Sequence, residues 1–87
     1  MPRYTILITE LDMERRSAKV HVEGYVFRRV PALITDPAVS KPGNAYAVAL
    51  ANNKRVAVIG KPLLRAGRIE MLRITGISLS IEPAFTA

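Results

Sequence analysis

Apolar and polar residues alternate along most of the chain. Tyr4, Ile6 and Ile8 fall on one face and Thr5, Leu7 and Thr9 on the other, so residues 4–13 read as a strand. Glu14-Arg15-Arg16-Ser17 follows as a charged hairpin tip. From Ala18 to Val30 the even positions Ala18, Val20, Val22, Val26 and Val30 are apolar, with Arg28 the exception, while Lys19, His21 and Glu23 are polar. This predicts a second strand, with Gly24 inside it as a bulge or sharp bend. Pro31 interrupts, and the short apolar segment Leu33-Ile34-Thr35 is stopped by Asp36-Pro37. In Ser40-Lys41-Pro42-Gly43-Asn44, Pro42 presets φ and Gly43 accepts the positive φ of a type II turn.

Ala45 to Ala51 alternates again, with Tyr46, Val48 and Leu50 set against alanines, and predicts another strand that turns at Asn52-Asn53. Lys54 to Leu64 reads as a strand interrupted at Gly60 and Pro62, and Arg65-Ala66-Gly67-Arg68 as a basic turn. Ile69 to Ile81 closes the series, with Ile77, Leu79 and Ile81 on one face and Ser78 and Ser80 on the other. No capped segment sustains a 3.6-residue period. The best helical candidate is Pro62 to Arg68, about two turns at most. Short strands with regularly spaced turns predict an all-β domain over residues 1–87: a small five- or six-stranded antiparallel barrel, OB-like, whose closure removes exposed edges.

Length makes this core thin, since a chain of 87 residues buries only about 60–65% of its unfolded surface. Cysteine is absent, which excludes disulfides, thiolate metal sites and a thiol nucleophile. Neither end reads as a signal peptide or lipid anchor, and no stretch approaches the ~20 apolar residues of a membrane span. A soluble cytoplasmic protein with no membrane partner is therefore expected. Glutamine is also absent while Ile, Val and Arg are plentiful, a thermophile-like composition.

Charge narrows the choice of partner. The net charge is +6, and residues 41–87 carry +5 of it. Such an excess favours a polyanion, RNA or DNA first. Lys54, Arg55, Lys61, Arg65 and Arg68 lie at or beside predicted turns and are the candidates for a rim that grips phosphates. Tyr25-Val26-Phe27-Arg28-Arg29 sets two rings among cations. If the strand runs regularly through Gly24, Tyr25, Phe27 and Arg29 share the outer face with Lys19 and His21, and the rings can stack bases. If Gly24 is a bulge, a one-residue slip turns both rings into the core.

Residues 4–34 resemble the TRAM domain, a small OB-like RNA-binding barrel. The likeness is carried by Tyr4-Thr5-Ile6-Leu7-Ile8-Thr9-Glu10-Leu11, then Ala18-Lys19-Val20 and Val22-Glu23-Gly24-Tyr25-Val26-Phe27, ending near Val30-Pro31-Ala32-Leu33. The tip Glu14-Arg15-Arg16-Ser17 lacks that family's glycines, and the Pro-Gly that follows its second strand occurs here only at Pro42-Gly43. The resemblance implies RNA binding.

Catalysis is not expected. His21 is the sole histidine, so no two-histidine metal site can form. Glu10, Asp12 and Glu14 stand beside Arg15 and Arg16 as a solvated hairpin end, and Ser17, Ser40, Ser78 and Ser80 lack a neighbouring base. No phosphate-cradling glycine loop occurs. No catalytic residue, metal ligand set or cofactor is nominated. The competing reading is a protein-interaction or assembly module: a small subunit of a larger complex, or a viral or cellular structural component. Its support is the face of Ala45, Ala47, Ala49 and Ala51, where a second sheet, a neighbouring chain or a homo-oligomer partner could approach closely.

Overall fold

A computed structural model describes residues 2–25 and 28–78. Five strands close into a barrel: β1 (Arg3–Asp12), β2 (Ser17–Val22), β3 (Val30–Ile34), β4 (Arg55–Arg65) and β5 (Arg68–Ile77), in the order β1-β2-β3-β5-β4. The pairing β3–β5 is parallel and the other four are antiparallel, so the OB-like barrel is mixed and not wholly antiparallel. The alternation holds through β2 and, in β1, up to the bulge after Ile8, beyond which Leu11 takes the inward phase. Ile6 and Ile8 face inward beside Val20 and Val22, and Val58, Leu72 and Ile74 complete the interior from β4 and β5. Register shifts at Ile8/Glu10, Ile59/Gly60 and Leu63/Leu64 add the local twist that lets a small sheet close on itself.

Three expectations need correction. First, Ala45–Ala51 is a helix, α1, and not a strand. Alanine is the best helix former, and Asn44 caps the segment by accepting from the Ala47 amide at 3.0 Å. Alanine at every second position imitates a strand, but the buried positions Tyr46 and Ala49, with Leu50 packed beside them, follow helical spacing. Asn52 and Asn53 accordingly end this helix instead of turning a hairpin, Asn52 donating its amide to the Val48 carbonyl.

Second, Ala18 to Val30 is not one strand. β2 stops at Val22, Gly24 takes φ +92°, and the Tyr25 amide donates to the Val22 carbonyl at 2.8 Å. Val30 opens β3, and Pro31 lies inside that strand, opposite Lys19. The proline is tolerated because pairing with β5 begins one residue later, at Ala32. Third, Pro62 to Arg68 is strand and turn, not helix: Ala66 (φ 52°) and Gly67 (φ 77°) make the two-residue tip of the β4–β5 hairpin. The Pro42-Gly43 turn stands as expected, with Gly43 at φ +69°. The predicted facing of Leu79 and Ile81 lies outside the described residues.

The connection from β3 to β4 is the polar anchor of the fold. Asp36 caps a 3-10 turn over Pro37–Ser40 through the Ala38 amide and takes a hydrogen bond from the Tyr46 hydroxyl at 2.8 Å. Asn44, buried, donates to the carbonyls of Val39 and Lys41 while it caps α1. These bonds hold α1 against β1 and fix where β4 starts.

Candidate nucleic-acid interface

Two features of the barrel gather cations. One is the chain between β2 and β3, where the positive-φ Gly24 carries the backbone out of the sheet. The other is the far half of the β4–β5 hairpin. β4 pairs with β1 only from Arg55 to Ile59, and β5 pairs with β3 only from Leu72 to Ile74. Beyond those points the hairpin is a two-stranded ribbon ending at Arg65 and Arg68.

Between these features lies an open cleft of about 560 Å³ lined by Arg28, Arg29, Pro31, Arg65, Ala66, Arg68, Ile69 and Glu70. It adjoins a second hollow of about 410 Å³ where Tyr25 and Val30 meet Arg28, Arg68 and Ile69. Tyr25 is 42% exposed. It also lines a third depression, with Leu7, His21 and Arg55. Leu7 pairs with His21 on one flank and with Arg55 on the other, so these three make one row across β2, β1 and β4.

The four arginines of the main cleft are not equivalent. Arg29 donates to Glu10 Oε2 at 2.6 Å and to Thr9 Oγ1 at 3.2 Å, which ties the chain before β3 to the bulge in β1. That bond, and then the guanidinium charge, hold the Glu10 carboxyl below the usual carboxylate range. Arg65 stands 3.4 Å from Glu70. Among the described residues Arg28 and Arg68 have no carboxylate partner. The cleft is thus cationic with donors to spare, and the exposed Tyr25 lines the hollow beside it.

Of the residues singled out in the sequence, Tyr25, Arg29, Arg65 and Arg68 come together here, and Arg55 shares a third hollow with Tyr25. Lys61 sits on the outer face of β4, opposite Arg73 of β5. Lys54 is exposed in the connection from α1 to β4 and lines none of these hollows. Phe27 lies outside the described residues. Tyr25 is exposed, yet neither by regular strand continuation nor by a bulge, because the strand has already ended. Two residues were missed. Arg28 was the charged exception in an apolar phase, a signal that the strand phase had ended. Arg73 becomes visible only once the β4–β5 register is known.

A family model, described as a family of unknown function (DUF7947), matches residues 1–78. No curated protein matches the chain, and no solved structure does.

Proposed function

We propose that this chain, which belongs to the DUF7947 family, is a non-catalytic nucleic-acid-binding protein. The observation that carries the reading is the placement of Tyr25 beside Arg28 and Arg68, on the margin of a cleft that Arg29 and Arg65 also line. Guanidinium forks match phosphate oxygens, and an exposed ring beside them offers a face to an unstacked base. The loops that carry these groups include the β4–β5 turn, a connection that OB-like barrels use for oligonucleotides. The surplus of cations over carboxylates in the cleft supplies the sequence-independent part of the affinity.

The test is binding of labelled single-stranded RNA and DNA at several salt concentrations. With about four phosphates contacted, log K should fall with log salt at a slope near −3, from roughly −0.7 per contact. Tyr25→Leu should lose affinity by about 1–3 kcal/mol, the worth of one stacked base, with an unchanged melting temperature. Absence of binding to any RNA or DNA at low salt overturns the proposal. It would favour the assembly-module reading, for which the exposed Leu63 and Leu64 on the ribbon are the supporting feature.

A further inference from the structure

The outer face of the β4–β5 hairpin, from the barrel sheet at Arg73 to the end of the ribbon, repeats in a way the cleft does not explain. Lys61 lies directly opposite Arg73, Leu63 opposite Met71, and Arg65 opposite Arg68. Side chains two residues apart on a strand share a face, which joins Lys61, Leu63 and Arg65 on β4 and Arg73 and Met71 on β5. Arg68, three residues from Met71, is brought to the same face by the extra residue of a bulge, so the pairs form three successive rows: cation–cation, apolar–apolar, cation–cation. That bulge is the Leu63/Leu64 register shift, which leaves Glu70 without a cross-strand partner and sets Arg68 opposite Arg65. Rows are about 7 Å apart, two residues at roughly 3.4 Å each, so the cation rows lie about 14 Å apart.

Like charges directly opposite each other destabilise a strand pair. Glu70, 3.4 Å from Arg65, gives the Arg65–Arg68 row one carboxylate, while the Lys61–Arg73 row has none, and bound anions would relieve the repulsion that remains. Among the described residues Lys61, Arg68 and Arg73 have no carboxylate partner. The row between them is equally unsatisfied, with Leu63 exposed at 52%.

We infer that this ladder is a second contact segment for a single strand of nucleic acid, continuing the cleft along the ribbon from the Arg65–Arg68 row to the Lys61–Arg73 row. The inference rests on the binding role proposed above and adds its path. Arg65 and Arg68 belong both to the cleft and to the ladder, so one strand can run through both without leaving the surface. The two cation rows take phosphates. The Leu63–Met71 row takes the apolar face of the sugar and base held between them. A duplex would not use that middle row, because its bases are stacked inside and only phosphates and groove edges reach the protein. Lys61 and Pro62 on β4 discourage addition of another protein strand at the ribbon's free edge, which leaves the face as the usable surface.

The experiment compares single-stranded oligonucleotides of ~4 and ~10 nucleotides, within the ~4–16 that one such barrel covers. The intact chain, a Lys61→Glu/Arg73→Glu variant and Leu63→Ser are each titrated with both lengths and with a duplex. The longer strand should bind the intact chain about tenfold more tightly, and the double variant should abolish that advantage while leaving the short strand within twofold. Its salt slope on the long strand should fall by about 1.4, two contacts at roughly 0.7 each. Leu63→Ser should weaken the long single strand and not the duplex. All three substitutions are at exposed positions, and an unchanged melting curve certifies the fold. If both lengths bind alike and the double variant affects them equally, the ladder is overturned and the cleft stands. If the intact chain binds neither length, the binding role itself falls, and with it the ladder.

Discussion

At the start of β4, the polar side chains that hold α1 are answered one by one: Asn44 makes three hydrogen bonds and Tyr46 gives its hydroxyl to Asp36. At the far end of the same strand Arg65 faces Arg68 and Lys61 faces Arg73, and two leucines stand more than half exposed. The first arrangement satisfies buried groups, which fold stability demands. The second leaves charges opposed and apolar groups wet, which stability alone does not favour. On the binding role proposed above, the two ends of one strand have different duties: closing the barrel, and meeting a ligand.

The contrast breaks most visibly at Tyr46, which is 1% exposed. Tyr46→Ala should cost about 3–5 kcal/mol, as large aromatic deletions in cores do. Denaturant melts would show it. A loss under 1 kcal/mol would mean that α1 does not anchor the barrel. The same residue carries a pH signature. Burial, then its hydrogen bond to Asp36 and that carboxylate's charge, push the Tyr46 hydroxyl far above its ordinary value. A raised folded pKa means the associated stability is complete below the unfolded value of about 10 and drains away as pH climbs beyond it. Tyr46→Phe should remove that alkaline loss. An identical fall of melting temperature above pH ~10 in both proteins would refute the coupling.

A middle-sized effect is expected where the two ends meet. Gly60 is buried at a register shift between β4 and β5, and a Cβ there would stand 2.6 Å from the Arg73 carbonyl oxygen. Backbone cannot yield as a flexible side chain does. Gly60→Ala should therefore cost about 1–3 kcal/mol, within the range of overpacked sites. Because Arg73 is carried by the strand that must shift, strand-length dependence of binding should weaken in the same variant. Unchanged thermal stability would show that the ribbon is loosely held and its register is not fixed by Gly60.

How far the sequence disclosed all this depends on the segment. β1 and the β2 stretch up to Val22 were legible because β-branched residues alternate there with polar ones, while the extension of that strand to Val30 was not; the tip between β1 and β2 carries its own capping carboxylate, Asp12, bonded to the Arg15 amide at 3.0 Å. α1 was misread because alternation of alanines satisfies a period of two, while the decisive signals were the Asn44 cap and alanine's helical preference. Closure through a parallel β3–β5 pair was illegible, since it depends on where the connection from β3 through α1 delivers β4 and β5. The cationic cleft was half legible. Arg65 and Arg68 announce themselves at a turn, but their meeting with Arg28 and Arg29 depends on contacts some 40 residues apart in sequence.

The smallest effect is the one that best separates stability from contact. Arg68→Glu replaces a like-charge cross-strand pair with an attractive one opposite Arg65. Cross-strand pairs contribute about 0.2–1 kcal/mol, and Arg65 already stands 3.4 Å from Glu70, so the gain should lie at the lower end. For a domain of this size that is about 1–3 °C in melting temperature. Oligonucleotide affinity should move the other way, because a cation of the cleft becomes an anion. Arg68→Ala supplies the control: it removes the repulsion without adding an attraction, so its stability should fall between those of the intact chain and Arg68→Glu. A melting temperature that drops in both variants would mean that Arg68 supports the hairpin by packing along its aliphatic stem. In that event the opposed arginines belong with the structural end of β4, and the division between the two ends fails at that row.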